Sequence, residues 1–553
     1  MTKKRHDADF LLQGSILAAA SIISRIIGLI YRVPLANIIG NGGSDYYSCA
    51  YEIYNILLLI SSFSIPLAVS KLVAACMSKG RRKTAYRVFL CALLFAFCTG
   101  SIAFFAVFFA AEYITAVLLA TPLSYLALRV LGPTLLIVAI MGVIRGFFQG
   151  MGSMVPSAIS QIIEQIVNAI VSVSAAYYLY QYGAKVGAVL GNEETYAESY
   201  GAAGGTLGTG VGALFGLLFL LFILLAFIKR FKRSMRRNTK ETPESYGSII
   251  KVLVLTIVPV LMSTTIYNIS GILDQGIFKH VTLHQGYDAQ AVSTMWGIFG
   301  AKYKVLINIP IAIASALSAS SVPSIAAEHA VKNSRSEKKK IAIAIRFTLM
   351  IASPCAVGMG VLARPILTML YPDTEENMLL ATRMLQLGAV SVALYSVSTM
   401  TNGILQGIDK MHTPVKNAAI VLVLHLGFLL LCLYTFDLHI YAVILANIFF
   451  GTLMCILNQY SLRRANGYRQ ELKKSVVIPL ISSLVMGVLI LGIYHGVFYL
   501  SYNNVVSTMV SIVIGMIIYA IVMIKCKAVT KEELESFPKG TTLVGIFEKL
   551  HLM

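Results

Sequence analysis

Gly146-Phe147-Phe148-Gln149-Gly150 returns later in the chain as Gly403-Ile404-Leu405-Gln406-Gly407, and the offset between the two copies is 257 residues. Met154 and Met411 keep the same offset, and so do Pro66 and Pro323, each of which precedes a basic loop. Pro156 and Pro414 differ from it by one inserted residue. Chance matches in apolar sequence do not share an offset, so the pattern reads as an internal duplication. Six apolar runs separate the copies. An even number preserves orientation, which predicts parallel repeats about an axis along the membrane normal, the usual plan of a transporter built as two lobes.

The surroundings of the repeat establish the solvent. Of 553 residues, 57% are hydrophobic and 13% charged, against about 45–50% and about 25% in a soluble domain; the mean hydropathy is +0.77. A membrane span needs about 20 mostly apolar residues. Runs of that kind cover 10–38, 47–77, 88–111, 124–150, 157–182, 204–228, 249–274, 293–327, 341–363, 378–406, 416–435, 440–461, 475–496 and 504–524. The expected fold class is therefore all-α and polytopic, with about fourteen transmembrane helices. They divide into an N-lobe (1–240), a C-lobe (241–470), two further helices (471–527) and a tail (528–553), in which Thr530 and Glu533 form a capping-box pattern and Pro538-Lys539-Gly540 ends the helix.

The net charge of +20 is not a nucleic-acid footprint, because the cations form short clusters between apolar runs. They precede the first run (Lys3, Lys4, Arg5) and follow every second run thereafter: Lys79 to Arg87, Lys229 to Lys240, Lys332 to Lys340, Arg463 to Lys474, then Lys525 and Lys527. The alternate connections are short or acidic, with Asp45, Glu112, Glu193, Glu194, Glu198, Asp373, Glu375, Glu376 and Asp437. By the positive-inside rule both termini are expected in the cytoplasm. The first run carries Arg25 and no small-residue cleavage site, so it reads as a retained helix.

Ionisable residues within spans are costly and mark function. Arg25 and Arg32 lie nearly two turns apart on the first run, with Gly28 on the same face. Two guanidinium groups on one stripe suit bidentate binding of phosphate; snorkelling at the helix ends is the other reading, and it stands open for Arg32 in particular. Gln161, Glu164, Gln165 and Asn168 follow helical spacing and make one polar face. Arg145 lies one turn before Gln149 across a short hairpin from Glu164, and a structural ion pair is the favoured reading. Lys302 and Lys304 sit about 200° apart around a helix, so one of them is expected to face a cavity. Glu52 and Asp274 are weaker candidates, for ion coupling, and Lys71 and Arg383 sit near run ends. The deep charges are mostly basic, so the cavity is expected to favour an anion.

Pro34, Pro133, Pro259, Pro310 and Pro354 fall inside runs, as ordinary kinks or as hinges; sequence does not separate the two. None of the eight cysteines forms a C-x-x-C pair, and buried packing is the simple reading. No catalytic constellation, metal motif or nucleotide-binding signature stands out, so neither an enzyme, a cofactor, a metal site nor direct use of ATP is expected.

Ser24-Arg25-Ile26-Ile27-Gly28-Leu29-Ile30-Tyr31-Arg32 resembles the S-R-x-x-G-x-x-x-R opening of polysaccharide-biosynthesis and MurJ-like flippases. Ile65-Pro66-Leu67-Ala68-Val69-Ser70-Lys71-Leu72-Val73-Ala74 resembles their second-helix ending. Arg145-Gly146, Gln149-Gly150, Met154, Pro156, Ser160-Gln161 and Glu164-Gln165 resemble the R-G-x-x-Q-G…M-x-P…S-Q-x-x-E-Q segment of the stage V sporulation protein B and YtgP branch. The resemblance spans nearly the whole chain and implies membership of the multidrug/oligosaccharidyl-lipid/polysaccharide exporter superfamily. It implies flipping of an undecaprenyl-linked sugar, above all lipid II, across the bacterial cytoplasmic membrane. It further implies cavity arginines at Arg25 and Arg32, a basic residue of the eighth helix at Lys302 or Lys304, and a lipid-tail groove made by the last two helices. Expected partners are the lipid-linked oligosaccharide, membrane lipids and cell-wall synthesis enzymes, with the chain acting as a monomer. A cation-coupled multidrug exporter and a non-transporting scaffold for envelope or spore-coat assembly are the alternatives.

Overall fold

The structure is a computed structural model that describes residues 16–17, 19–63, 65–236 and 242–526. The tail helix expected from Thr530 lies outside the described residues, as do Lys3, Lys4, Arg5 and Lys240. Among the described residues there are only helices and their connections. Eleven helices are long and apolar enough to cross a membrane, and the pair Glu375–Gly388 and Val390–Gly407, bent by 45°, makes a twelfth. Two shorter apolar helices, Ala19–Ile30 and Tyr246–Ile257, lie where the first and seventh runs are expected. The chain is an all-α, multi-pass membrane protein.

Helix ends depart from the apolar runs in instructive ways. The first helix continues to Ile39, and the second begins directly after Gly40, whose φ of 72° and ψ of −173° break an otherwise continuous helical stretch. Left-handed backbone of that kind favours glycine. Asp45 and Glu198 are therefore not loop residues. Asp45 sits in the second helix. Glu193, Glu194 and Glu198 lie in the early turns of Glu193–Arg236, where acidic side chains complement the positive end of the helix dipole. Glu198 also accepts the Gly42 amide at 3.0 Å, satisfying a donor that the start of the second helix leaves without an intrahelical partner. The seventh helix runs past Asp274 to His284 as Ser270–His284.

The described chain forms two compact units, Met1–Ala301 and Lys302–Met553. In the first unit the seventh helix and the start of the eighth pack with the first six. The first unit has a core around Phe147, whose ring lies 4.6 Å from Phe89 and 5.7 Å from Phe231. The second has a core that includes Ile341, Ile345, Ile404, Leu405 and Leu462.

The sequence repeat is a structural repeat within each unit. After the fourth helix, Ser153 N donates to Phe148 O and Gly152 N to Gln149 O, both at 3.0 Å. After the tenth, Lys410 N donates to Leu405 O at 2.9 Å and Asp409 N to Gln406 O at 3.3 Å. These are the same Schellman turn, with Gly152 (φ 85°) and Asp409 (φ 61°) as the left-handed residue. The glycine pairs also serve one purpose. A Cβ on Gly146 would lie 2.6 Å from Pro66 O, and one on Gly150 would lie 2.7 Å from Val73 Cβ. In the second unit Gly403 and Gly407 meet Ser318 and Val322 in the same manner. Small residues four apart let two helices approach closely where lipid supplies no hydrophobic drive.

Candidate functional site

The polar face read from the fifth helix is turned toward the first helix. Ser21 Oγ donates to Gln161 Oε1 at 3.2 Å. A Cβ on Gly28 would sit 3.6 Å from Gln165 Oε1, so this glycine leaves room for the amide. Asn168 Nδ2 donates to Tyr31 OH at 3.3 Å and its Oδ1 accepts from Ser172 at 2.8 Å. Ser172 and Asn168 are buried, while Gln161 and Gln165 are half-buried and line the wall beside Gly28.

Glu164 has a different partner. Its Oε2 accepts from Arg145 Nη2 at 2.8 Å, and Arg145 Nε donates to Ser160 Oγ at 2.9 Å. Gln149 Nε2 donates to Ser157 Oγ at 3.2 Å. Arg145, Gln149 and Glu164 thus knit the fourth helix to the fifth across their hairpin, and the charge of Arg145 is met within the protein.

The two arginines of the first helix have unlike surroundings. Arg25 is exposed. Arg32 is half-buried among tyrosines, with its guanidinium 6.0 Å from the centre of the Tyr51 ring. Tyr51 packs against the tilted Tyr47 ring at 4.7 Å and hydrogen-bonds Thr209, which holds the ring near the cation. Such a contact attracts a cation without neutralising it. Among the described residues Arg32 has no carboxylate partner. Chemically, it keeps its positive charge beside the Tyr51 ring, one residue after Tyr31, to which Asn168 of the fifth helix donates.

Lys302 and Lys304 are separated by more than their spacing. The stretch Phe299–Tyr303 is a π-helix, and Lys302 ends up buried, paired with Asp373 and 5.9 Å from the Tyr371 ring centre. Lys304 is half-buried. Of the weaker candidates, Lys71 and Arg383 are exposed. Glu52 lies against Gly271, where a Cβ would come within 2.7 Å of its Oε2, and buried Asp274 is three residues further along the same helix. The structure thus brings both acidic coupling candidates to one junction of the second and seventh helices. Among the described residues no cluster of three or more His, Cys, Asp or Glu could hold a metal ion.

One group that sequence reading did not single out dominates that junction. Lys279 Nζ donates to Asp45 Oδ1 at 2.7 Å, Asp45 Oδ2 at 2.6 Å and Thr121 Oγ1 at 2.5 Å. Ser293 Oγ adds a bond to Asp45 Oδ2 at 2.7 Å. The cluster ties the second, seventh and eighth helices to the connection before the fourth. It lies at the end of the unit opposite the basic loops, and close contact of Gly297 with the Asn41 backbone supports it. It explains why the seventh helix packs with the first six.

Comparison with known proteins agrees with this geometry. The sequence model described as Polysaccharide biosynthesis protein matches residues 11–329, and the MatE model matches residues 304–431. The chain is 28% identical over 495 residues to a Bacillus subtilis (strain 168) protein named Lipid II flippase MurJ, covering 86% of this chain and 87% of that one. It is 30% identical over 142 residues to the Bacillus subtilis Stage V sporulation protein B, covering 25% of this chain and 27% of that one. A solved structure titled Lipid II flippase MurJ, inward closed conformation, superposes with a TM-score of 0.66 at 17% identity, covering 92% of this chain and 97% of that one. An inward-facing multidrug-resistance MATE transporter of the MOP superfamily superposes with 0.63 at 14% identity, over 80% and 96%. The duplicated hairpin, the cationic first helix and a family match over more than half the length converge: this chain belongs to the polysaccharide biosynthesis protein family.

Proposed function

We propose that this transporter flips an undecaprenyl-diphosphate-linked sugar, lipid II, from the inner to the outer leaflet of the cytoplasmic membrane by alternating access, with both termini in the cytoplasm. The observation that carries the reading is Arg32, a cation over the Tyr51 ring with no carboxylate partner among the described residues, on the helix that also carries Arg25 and that meets Gln161 and Gln165 at Ser21 and Gly28. A diphosphate leaving water needs charge-assisted donors in a low-dielectric site. Amides serve the uncharged sugar and peptide, and the polyprenyl tail stays in lipid. The name of the Bacillus subtilis relative supports the same substrate.

In this account Arg25 and Arg32 bind the diphosphate, Gln161, Gln165 and Asn168 shape the wall, and Arg145 with Glu164 and Gln149 holds the fourth and fifth helices in register. Lys302, paired with Asp373, or Lys304 is the cation that the eighth helix offers the substrate. Glu52 and Asp274 are the candidates for coupling an ion to the cycle, on the two helices that Asp45 and Lys279 join. The lobes of the cycle are residues 1–240 and 241–470.

The test is complementation. A strain depleted of its own lipid II flippases is expected to grow when it carries this chain, and lipid II is expected to accumulate in the inner leaflet when the chain is withdrawn. Drug resistance on overexpression without any change in cell-wall precursors would instead indicate a multidrug exporter.

A further inference from the structure

At the basic end of the first unit, a crevice of 140 Å³ opens between the second, third and seventh helices. Its rim carries Lys79 and Arg81, and its walls include Leu72, Ala75, Cys76 and Val252. We propose that this crevice binds the headgroup of an anionic phospholipid, with the phosphate at Lys79 and Arg81 and an acyl chain against Ala75 and Val252. The site is separate from the polar wall beside the first helix, and the proposal does not depend on which sugar is transported.

The turn that carries the rim is rigid. Arg81 N donates to Cys76 O at 2.8 Å and Gly80 N to Met77 O at 3.0 Å, another Schellman turn with Gly80 at φ 70°. It sets Arg81 beside the start of the third helix. Three nearby cations are engaged elsewhere: Arg87 donates to Glu244 O at 2.7 Å and covers the Tyr246 ring at 4.8 Å, Arg82 bonds Ser234, and Lys232 lies 5.5 Å from the centre of the Tyr86 ring. Lys79 is exposed and has no acidic partner among the described residues.

Arg81 is paired with Glu244 at 3.0 Å, and the two side chains are 49% and 46% exposed. An ion pair that open is weak and easily exchanged. Glu244 therefore occupies the place of a phosphate without sealing it. The mouth is apolar as well as cationic: Val252 is 40% exposed, Leu255 one turn further along the seventh helix is 64% exposed, and Ala75 is exposed on the facing side. The crevice has room for a phosphate. Basic pockets between transmembrane helices are known to suit anionic lipid headgroups.

The test titrates the delipidated full-length chain with phosphatidylglycerol and with phosphatidylcholine of the same acyl chains, counting bound lipid by native mass spectrometry. Phosphatidylglycerol is expected to bind more tightly than phosphatidylcholine, and millimolar inorganic phosphate is expected not to displace it. The double variant Lys79→Gln/Arg81→Gln should weaken phosphatidylglycerol by about thirtyfold, the factor that two near-surface cations supply. Glu244→Gln, which removes the competing carboxylate, should strengthen it by up to about fivefold. Ala75→Phe, which fills the crevice and changes no charge, should weaken it. Equal binding of the two lipids, wild-type affinity in the double variant or in Ala75→Phe, no gain in Glu244→Gln, or displacement by inorganic phosphate would each overturn the proposal.

Discussion

Lys279 donates to both carboxylate oxygens of Asp45, at 2.6 and 2.7 Å, with neither side chain reaching solvent. Removing one partner of such a pair strands the other charge, which costs about 3–5 kcal/mol, whereas replacing both by apolar side chains is often neutral. Asp45→Ala and Lys279→Ala are each expected to lower the thermal unfolding midpoint of the purified protein strongly, and Asp45→Leu/Lys279→Met to recover most of the loss. A double variant as unstable as the sum of the singles would show that the pair is not coupled as described.

Arg145 and Glu164 meet at 2.8 Å with side-chain exposures of 13% and 19%. If the pair is a strut between the fourth and fifth helices, Glu164→Ala should be worse than Arg145→Met/Glu164→Leu, both in folded yield and in complementation. A double variant that folds normally and yet fails to support growth would move Arg145 from scaffold to substrate contact.

The repeated glycines differ in what they face. A Cβ at Gly146 meets the Pro66 backbone, which cannot step aside, while one at Gly403 first meets the Ser318 hydroxyl, which can rotate. Overpacking of this kind costs about 1–3 kcal/mol. Gly146→Ala is therefore expected to destabilise the protein more than Gly403→Ala, as read by the thermal midpoint of each variant.

In the proposed site Arg32 offers a planar fork as well as a charge. A lysine there keeps the charge and loses the fork for phosphate. Arg32→Lys is expected to complement partially, and Arg32→Ala not at all, at equal membrane levels measured by immunoblot. Full growth with Arg32→Ala would remove Arg32 from the site.

Much of this was legible in the residues. The basic residues Arg81 and Lys332 mark real helix connections, and the offset between Gly146 and Gly403 marks a real structural repeat. The spacing of Gln161, Gln165 and Asn168 shows a face, though not that Tyr31 and Ser21 are what it faces. The pair of Asp45 and Lys279 was hidden for a physical reason. Hydropathy ends a run where charge begins, so Asp45 read as a connection and Lys279 fell beyond the seventh run; only packing shows that each charge sits within a helix because the other neutralises it. The choice between Lys302 and Lys304 was hidden too, since the π turn at Phe299–Tyr303 breaks the regular 100° step on which facing arguments rest.

The central claim is that the cations of the first helix carry a lipid-linked diphosphate across the membrane. The direct measurement places the purified chain in proteoliposomes with lipid II in the inner leaflet and follows its arrival outside with an outer-leaflet trap. The wild-type chain is expected to deliver lipid II, and Arg25→Ala to deliver none although it inserts equally well. Transport by Arg25→Ala at the wild-type rate, or none by the wild-type chain under an imposed ion gradient and membrane potential, would contradict it.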